Sequence, residues 1–234
     1  PHRCLLRRPD RATPAGRGVT ALAAAAVADL DIAGQRRAQI VEGAVRAFAD
    51  KGYFGTTIED IAGQAGVSKG LIYVYFEDKR DVLFLTLRFV LETYARELPA
   101  LLEGIEGPLE RLRTALGSYC RLIDRYRDVT VLAYQATTVL PPPQRAQVKA
   151  AESKVNRILQ GCLEACFYSG LMRPANLDFQ VYQYVMFCHT WALKHWAFGD
   201  HYSLDDYIAE GTALLIEPHL TAEGRRHWEL NNQQ

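Results

Sequence analysis

The sequence lacks the features of a membrane protein, of a disulfide-bonded scaffold and of a strongly basic, histone-like protein that is covered in nucleic acid. No apolar run reaches the roughly eighteen residues that a membrane-spanning helix needs. The five cysteines among 234 residues are odd in number and irregularly spaced, which argues against a disulfide framework. Lysine plus arginine equals aspartate plus glutamate at 27 each, so only a small basic face is left for an anionic partner.

Motifs of catalysis are also lacking. The sequence has no phosphate-binding glycine loop, no paired-carboxylate motif and no zinc-protease helix. A cysteine–histidine nucleophile would need a third orienting group and an oxyanion site, and no motif supplies either. We therefore expect no enzyme, no cofactor and no membrane partner. Reduced, buried cysteines fit a cytoplasmic location.

Residues 1–33 differ in character from the rest. They begin arginine-rich and continue with ALAAAAVA at 21–28, which is the outline of a secretory signal. However, the basic region is long for a signal, and the apolar run is short, alanine-dominated and followed at once by aspartates. We predict instead a poorly ordered extension, or sequence upstream of the natural start.

From residue 35 onward the pattern is helical. Apolar residues recur at three- and four-residue spacing up to Phe48, and Gly52 is predicted to end this first helix. Thr56 or Thr57 can cap a second helix, with a capping box from Thr56 to Glu59. Ser68 and Asp78 are the predicted caps of a third, very short helix and of a fourth. Five further helices are predicted, over 108–126, 129–140, 144–170, 178–198 and 203–220.

The segment AGVSKGLIYVYFEDK, residues 65–79, points to DNA. Two short helices around Gly66-Val67 make a helix-turn-helix, whose second helix enters the major groove with its first residues toward the bases. Those residues are Ser68, Lys69 and Gly70, and Lys69 can donate to guanine or to a phosphate. The alternative is a three-helix core with solvated lysines. Four more residues are candidates for contacts with DNA phosphates, because they carry a hydroxyl or lie at the start of a helix: Thr57, Tyr73, Tyr75 and Lys79.

Residues 36–83 resemble the DNA-binding domain of the tetracycline-repressor (TetR) family. The match includes FADKGYFGTT, IAGQAGVSKG, the Y-x-YF pair and the lysine three residues after that phenylalanine. The resemblance implies a homodimer with a second helical domain that binds a small molecule, which moves the two DNA-binding heads apart. It implies DNA contacts at the seven residues just named. Leu71 departs from the pattern, because many members carry a phosphate-binding threonine there.

The predicted fold class is therefore all-α. An N-terminal three-helix helix-turn-helix DNA-binding domain occupies 34–81, a larger C-terminal ligand-binding and dimerisation domain occupies 82–222, and a tail occupies 223–234. The last two predicted helices lie where the family forms its dimer interface. The apolar face of the final helix is the candidate interface, although it could instead pack on its own subunit; it comprises Tyr207, Ile208, Gly211, Leu214 and Leu215.

A ligand cavity is predicted from aromatic residues on several helices. The segment FCHTWALKHWAF, 187–198, carries four ring side chains that pair by helical spacing, although such a stripe also suits a core or an interface. The candidate lining residues are Tyr119, Tyr134, Phe167, Tyr168, His189, Trp191 and Trp196. The Trp-x-x-Lys-His-Trp pattern resembles members that sense acyl-CoA thioesters, for which Arg121, Arg125 or Arg127 would be polar partners.

A metal sensor is the alternative function. Cys162 and Cys166 are one helical turn apart, and Cys188-His189 follow on another helix, so thiolate and imidazole could bind zinc or copper. The favoured hypothesis is a ligand-responsive repressor that binds a near-palindromic operator as a dimer. Its heads would then lie about 34–36 Å apart, or at a multiple of that distance.

Overall fold

The structure is a computed structural model that describes residues 32–231. The predicted extension at 1–33 lies outside the described residues, except for its last two, which begin the first helix. Over the described range the fold is all-α, as predicted. The α-helices are α1 (Ile32–Gly55), α2 (Ile58–Ala65), α3 (Lys69–Tyr75), α4 (Lys79–Ala100), α5 (Pro108–Arg125), α6 (Arg127–Ala136), α7 (Pro142–Tyr168), α8 (Leu177–Leu193), α9 (His195–Phe198), α10 (Leu204–Leu215) and α11 (Ala222–Asn231).

Helices α1, α2 and α3 form the head, which is closed by very small residues. A Cβ built on Gly43 of α1 would lie 2.6 Å from the backbone nitrogen of Ala65 on α2, so only glycine allows this approach. Gly66 ends α2 with a φ of 66°, the left-handed conformation expected of the turn. Ile72 then returns to the core and is fully buried. This turn fixes the angle at which α3 leaves the head.

Thr57, one of the two predicted candidates, caps α2, but the capping box differs from the predicted Thr56–Glu59 pair. The Thr57 hydroxyl accepts from the amide of Asp60 at 3.1 Å, and the Asp60 carboxylate accepts from the Thr57 amide at 2.9 Å. Thr56 is buried, and its hydroxyl lies 3.0 Å from the carbonyl of Ala47 and 2.7 Å from that of Gly52. Thr56 therefore closes the break at Gly52, where the helix path is interrupted by a φ of 67°.

Helix α4 joins the head to the rest of the chain without a linker. Asp78 caps it as predicted, by accepting from the amides of Arg80 and Asp81. The predicted domain boundary at 81/82 lies inside this helix. The ammonium of Lys79 donates to the carbonyls of Tyr53 and Thr56, at 2.8 and 2.7 Å. The start of α4 is thus bound directly to the end of α1.

Helices α4 to α8 form a second domain around α5, which we term the effector domain after the role predicted for it. One face of α5 is fully buried, at Leu109, Leu112, Leu116, Tyr119 and Ile123. None of the helices described between 32 and 231 is both long enough and apolar enough to cross a membrane.

The C-terminal region departs from the sequence prediction in two places. The helix predicted over 178–198 is interrupted at Lys194, whose φ of −120° and ψ of 24° separate α8 from α9. The helix predicted to reach Leu220 ends at Leu215, and a short 3₁₀ turn, Glu217–His219, follows. The predicted tail contains α11, which is anchored by the buried indole of Trp228 beneath the guanidinium of Arg113.

Candidate DNA-contact surface and effector cavity

The first turn of α3 presents its polar groups to solvent. Ser68, Lys69 and Gly70 are all exposed, and the Ser68 hydroxyl caps the helix by accepting from the amide of Leu71 at 3.2 Å. The ammonium of Lys69 pairs with the Glu59 carboxylate of α2 at the surface. Tyr73, one turn later, is 51% exposed. These four predicted residues share one accessible surface, which has the geometry of a recognition helix.

The other three predicted DNA contacts are engaged within the head. Thr57 is exposed but holds the α2 cap, and Tyr75 is half-buried with the guanidinium of Arg37 5.9 Å from its ring. The ammonium of Lys79 lies 4.4 Å from the ring centre of Tyr53 and is bound to two carbonyls. Partial burial lowers the pKa of Lys79. A direct phosphate contact by Lys79 stays a prediction, while its structural role is visible.

A cavity of about 230 Å³ lies inside the effector domain. Apolar side chains from α4, α5, α6 and α7 line most of it. The deep part of the wall is fully buried, whereas Lys149 and the half-exposed Tyr134 mark its opening. The lining residues are Leu87, Val90, Leu91, Tyr94, Tyr119, Ile123, Val129, Thr130, Ala133, Tyr134, Thr137, Val148, Lys149, Glu152 and His189. A mainly apolar wall with a few polar groups is the usual chemistry of a small-molecule site.

Three of the seven predicted lining residues meet on this wall. His189 lies between two tyrosines: the Tyr119 hydroxyl is 2.9 Å from its Nε2, and the Tyr134 hydroxyl is 2.9 Å from its Nδ1. Burial lowers the pKa of His189 to about 4, so the imidazole is neutral near pH 7. A neutral ring carries one N–H, so one hydroxyl accepts from the ring and the other donates to it.

The other four predicted lining residues lie outside the cavity, for identifiable reasons. Phe167 and Tyr168 stand at the far end of α7, about 24 Å along the axis from Glu152 at 1.5 Å per residue. Tyr168 is 90% exposed. Trp191 points to the other side of α8, where its indole N–H donates to Asp124 at 2.7 Å. Trp196 follows the break at Lys194, which turns it into solvent at 77% exposure.

Five wall residues that carry polar groups were not predicted from the sequence: Tyr94, Thr130, Thr137, Lys149 and Glu152. Tyr94 and Glu152 each occupy an apolar stripe of their helix, at three- and four-residue spacing from Val90 and from Val148 and Val155. A polar group on such a stripe is the signal that could have identified them. Burial raises the pKa of Glu152, while the charge of the neighbouring Lys149 opposes this. The arginines proposed as polar partners are all paired elsewhere: Arg121 with Asp205, Arg125 with Glu97 and Arg127 with Asp124.

The metal alternative is not supported. No group of three or more candidate metal ligands occurs in the described part of the chain. The Cys166 thiol lies 3.2 Å from the carbonyl of Pro108, and burial raises its pKa to about 12, which disfavours the thiolate that a metal needs. Cys188 lies 3.1 Å from Cys120, sulfur to sulfur, and Cys162 is also buried with a raised pKa. Both ring nitrogens of His189 are hydrogen-bonded to tyrosine hydroxyls and are not free to bind a metal.

The candidate dimer face divides between the subunit interior and the surface. Tyr207 is buried, stacks on Phe187 and donates to its carbonyl at 2.8 Å. Ile208 is buried, and a Cβ on Gly211 would overlap the Phe187 ring. These three predicted residues therefore pack within their own subunit, as does half-buried Leu215. Leu214 is 70% exposed.

A different apolar stripe reaches the surface on α8. Phe179, Tyr182 and Met186 follow at three- and four-residue spacing and are 66%, 53% and 41% exposed. This spacing places them on one face of the helix, which we term the α8 stripe. Exposed aromatic and methionine side chains in one row are typical of a protein interface.

Helix α6 borders two spaces. Val129, Thr130, Ala133 and Tyr134 line the cavity. Other side chains of the same helix face a groove of about 240 Å³ beneath α1; the groove is lined by Phe48, Ala49, Gly52, Asp128, Val131, Leu132 and Gln135. Movement of α6 at the cavity would therefore reach the head directly.

Comparison with known proteins agrees with this two-part arrangement. Residues 40–85 match the family model for bacterial regulatory proteins of the tetR family, and residues 106–196 match a tetracyclin repressor-like C-terminal domain. The chain is 48% identical over 199 residues to the HTH-type transcriptional regulator HbdR of Aromatoleum sp. (strain CIB), which covers 85% of this chain and 87% of that protein.

Solved structures of the same fold include complexes with thioesters. AibR bound to isovaleryl coenzyme A and operator DNA matches with a TM-score of 0.67 at 22% identity, over 79% of this chain and all of the other. FadR from Bacillus subtilis bound to stearoyl-CoA matches with a TM-score of 0.63 at 20% identity, over 76% of this chain and 94% of the other. The match to HbdR and the two family models show that the chain belongs to the TetR family of bacterial transcriptional regulators.

Proposed function

We propose that this regulator binds its operator as a homodimer and is released by a compact acyl-CoA thioester. The observation that carries the proposal is the position of α6, with the effector cavity on one side and the groove beneath α1 on the other. An acyl group that enters the cavity would shift α6 against the head. The two-headed form that fits the operator would then become less populated.

The chemistry of the cavity favours a thioester over a free acid. Its interior is mainly apolar, and the half-buried Glu152 carboxylate would repel a second carboxylate placed beside it. An acyl thioester carries no charge at its carbonyl carbon. Lys149, exposed at the opening, is positioned to attract the phosphates of a coenzyme A moiety that remains outside.

The size of the cavity limits the acyl group. An apolar cavity of about 150 Å³ accommodates benzene. By proportion, the 230 Å³ measured here would hold about nine non-hydrogen atoms. A short branched chain or a single ring fits this limit, whereas a long fatty chain exceeds it. The AibR complex with isovaleryl coenzyme A shows that this fold accepts a short branched acyl group.

The α8 stripe supports the dimer. Phe179 and Tyr182 are exposed apolar side chains on the helix that the family uses for pairing, and Leu214 extends the apolar surface on α10. We expect Phe179→Glu with Tyr182→Glu to convert the dimer to a monomer in sedimentation equilibrium, because charge would be buried without a partner. Tyr168→Glu, at a still more exposed tyrosine away from the stripe, is the control. A dimer that persists in the double variant would exclude this face.

The decisive experiment measures operator release. DNA from the region upstream of the protein's own gene is titrated with protein, alone and with isovaleryl-CoA, benzoyl-CoA, stearoyl-CoA, the matching free acids or coenzyme A. We expect release by the two compact thioesters and none by the acids or by coenzyme A. Tyr73→Phe serves as the DNA-contact control, with weaker binding to all sequences alike.

Other outcomes of that titration would overturn parts of the proposal. Release by the free acids would contradict the role of Glu152. Release by tetraethylammonium, with no response to thioesters, would replace the acyl group with a cation held by Glu152 and the tyrosines. If no selective binding appears on that DNA, genome-wide site selection with the same protein tests the regulator itself, and failure there would overturn it.

A further inference from the structure

One buried hydroxyl on the cavity wall differs from the other two. Tyr94 is 2% exposed, and its hydroxyl has no hydrogen-bond partner within residues 32–231 that meets distance and angle criteria. The hydroxyls of Tyr119 and Tyr134 both bond to His189. Three tyrosines thus line one cavity, and only two of their hydroxyls are paired by the protein.

The Tyr94 ring is held firmly in this position. It makes edge contacts with the ring of Tyr119 at 5.9 Å and with that of Tyr126 at 5.7 Å. Burial raises the pKa of the Tyr94 hydroxyl well above its ordinary value, and the nearby Thr130 hydroxyl opposes this. Thr130 also lines the cavity, and its own proton points to the Tyr126 carbonyl at 3.4 Å. The Tyr94 and Thr130 hydroxyls lie near each other but do not meet with the distance and angles of a hydrogen bond, so the proton of Tyr94 is available to a ligand.

Leaving a buried hydroxyl unpaired is unfavourable, and phenylalanine would fill the same space without that cost. A tyrosine at this position is explained if the hydroxyl has a partner when the protein is working. Tyr94 and its neighbours Tyr119 and Ile123 form the deep wall, away from Lys149 at the opening. The partner is thus the far end of the ligand rather than its thioester carbonyl.

We propose, as a refinement that rests on the proposed function, that the Tyr94 hydroxyl donates a hydrogen bond to an oxygen at the far end of the effector's acyl group. The cavity then selects compact acyl-CoA thioesters that carry a hydroxyl or carbonyl oxygen distal to the thioester. Tyr94 is the specificity-determining residue for that oxygen.

Calorimetric titration of the full chain with matched thioesters tests this assignment. The probes are hexanoyl-CoA with its ω-hydroxy derivative, and cyclohexanecarbonyl-CoA with its ring-hydroxylated derivative. Wild type is expected to bind one or both hydroxylated members about tenfold more tightly, the upper range for one net hydrogen bond. Tyr94→Phe is expected to abolish the preference while the affinity for the unhydroxylated members stays within about twofold.

Ligand-free stability gives a second readout. Because its hydroxyl is unpaired, Tyr94→Phe should unfold at the same temperature as wild type or higher. Tyr126→Phe, which removes a neighbouring hydroxyl outside the cavity wall, is the matched control for removing a phenol. A clear fall in the unfolding temperature of Tyr94→Phe would mean that the hydroxyl is paired within the protein, and would overturn the inference.

The outcomes distinguish a failure of this inference from a failure of the proposed function on which it rests. If both members of each pair bind equally to wild type, or if Tyr94→Phe weakens them equally, the refinement fails while the thioester response stands. If no thioester of either pair binds, both fail. A preference for the hydroxylated members that Tyr94→Phe removes supports both.

Discussion

The head and the effector domain differ in how certain polar groups away from solvent are hydrogen-bonded. At the head, the hydroxyl of Thr56 and the ammonium that Lys79 extends from the start of α4 are both bound to backbone carbonyls. In the effector domain, Tyr94 faces a 230 Å³ cavity with no bonded partner in the described range. The head therefore has a closed core and offers only its outer surface to a ligand. Within the described residues, the effector domain has both a cavity and an unpaired hydroxyl in its interior.

The largest difference that we expect between the two regions is in how acid changes their contribution to stability. His189 has a pKa lowered to about 4 by burial, whereas the unfolded imidazole titrates near 6.5. Between these values the unfolded state takes up the proton first, so stability falls by about 1.4 kcal/mol per pH unit as the pH falls, and no further below pH 4. In the head, the ammonium of Lys51 and the Thr57 cap lower the pKa of Asp60 to about 2, so its contribution is lost only in stronger acid.

We expect urea unfolding to show that His189→Gln removes this loss between pH 6.5 and 4. His201→Gln, at an exposed position, is the control for removing an imidazole. The relevant quantity is the difference in unfolding free energy between variant and wild type at each pH, because other groups titrate in both. Parallel pH profiles for wild type and His189→Gln would contradict the neutral, buried imidazole.

Small increases in side-chain size should also distinguish the regions. Gly43→Ala places a methyl group 2.6 Å from Ala65 and should destabilise the protein by about 1–3 kcal/mol through overpacking. Ala133→Val extends into the cavity and should change stability little, while it weakens effector binding. Gly63→Ala, with open space around its Cβ, controls for the loss of glycine and should be neutral or stabilising. Thermal unfolding of the three variants measures this, and equal losses at 43 and 133 would contradict the comparison.

Changes in the groove face of α6 should have the smallest effect and should connect the two regions. Val131→Ala thins the contact with α1 without touching the cavity wall. We expect effector affinity to be unchanged and the coupling between effector and operator binding to fall by about 0.5–2 kcal/mol. Titrations of effector with and without operator DNA give this value, and Ala133→Val provides the opposite pattern. Unchanged coupling would show that the signal takes another route.

The head could be predicted from sequence because its signals are local. Ser68 and Asp78 cap the helices that follow them, and Gly66 adopts the left-handed turn, all within a few residues. One local error, the capping box placed at Thr56 and Glu59 instead of Thr57 and Asp60, arose because both threonines fit the pattern. Only the break at Gly52 decides which of them is buried.

The effector site could be predicted only in part because it is assembled from distant helices. Tyr119 and His189 are 70 residues apart, and aromatic composition alone cannot tell them from Phe167 or Trp191, which point elsewhere. The break at Lys194 carries no proline or glycine, so no pattern shows that Trp196 leaves the face of His189. Tyr94 was hidden for the opposite reason, since one tyrosine among leucines and valines resembles an ordinary core residue.

The contact between Phe187 and Gly211 limits how the sequence can evolve. A side chain at 211 would occupy the volume of the Phe187 ring, and the same ring stacks on Tyr207. Position 211 therefore cannot change alone: a relative that acquires alanine or larger at 211 must first, or at the same time, replace phenylalanine at 187. In lineages of this protein the codon for 211 should change only together with that for 187 or after it, and descendants that keep the phenylalanine should keep the glycine.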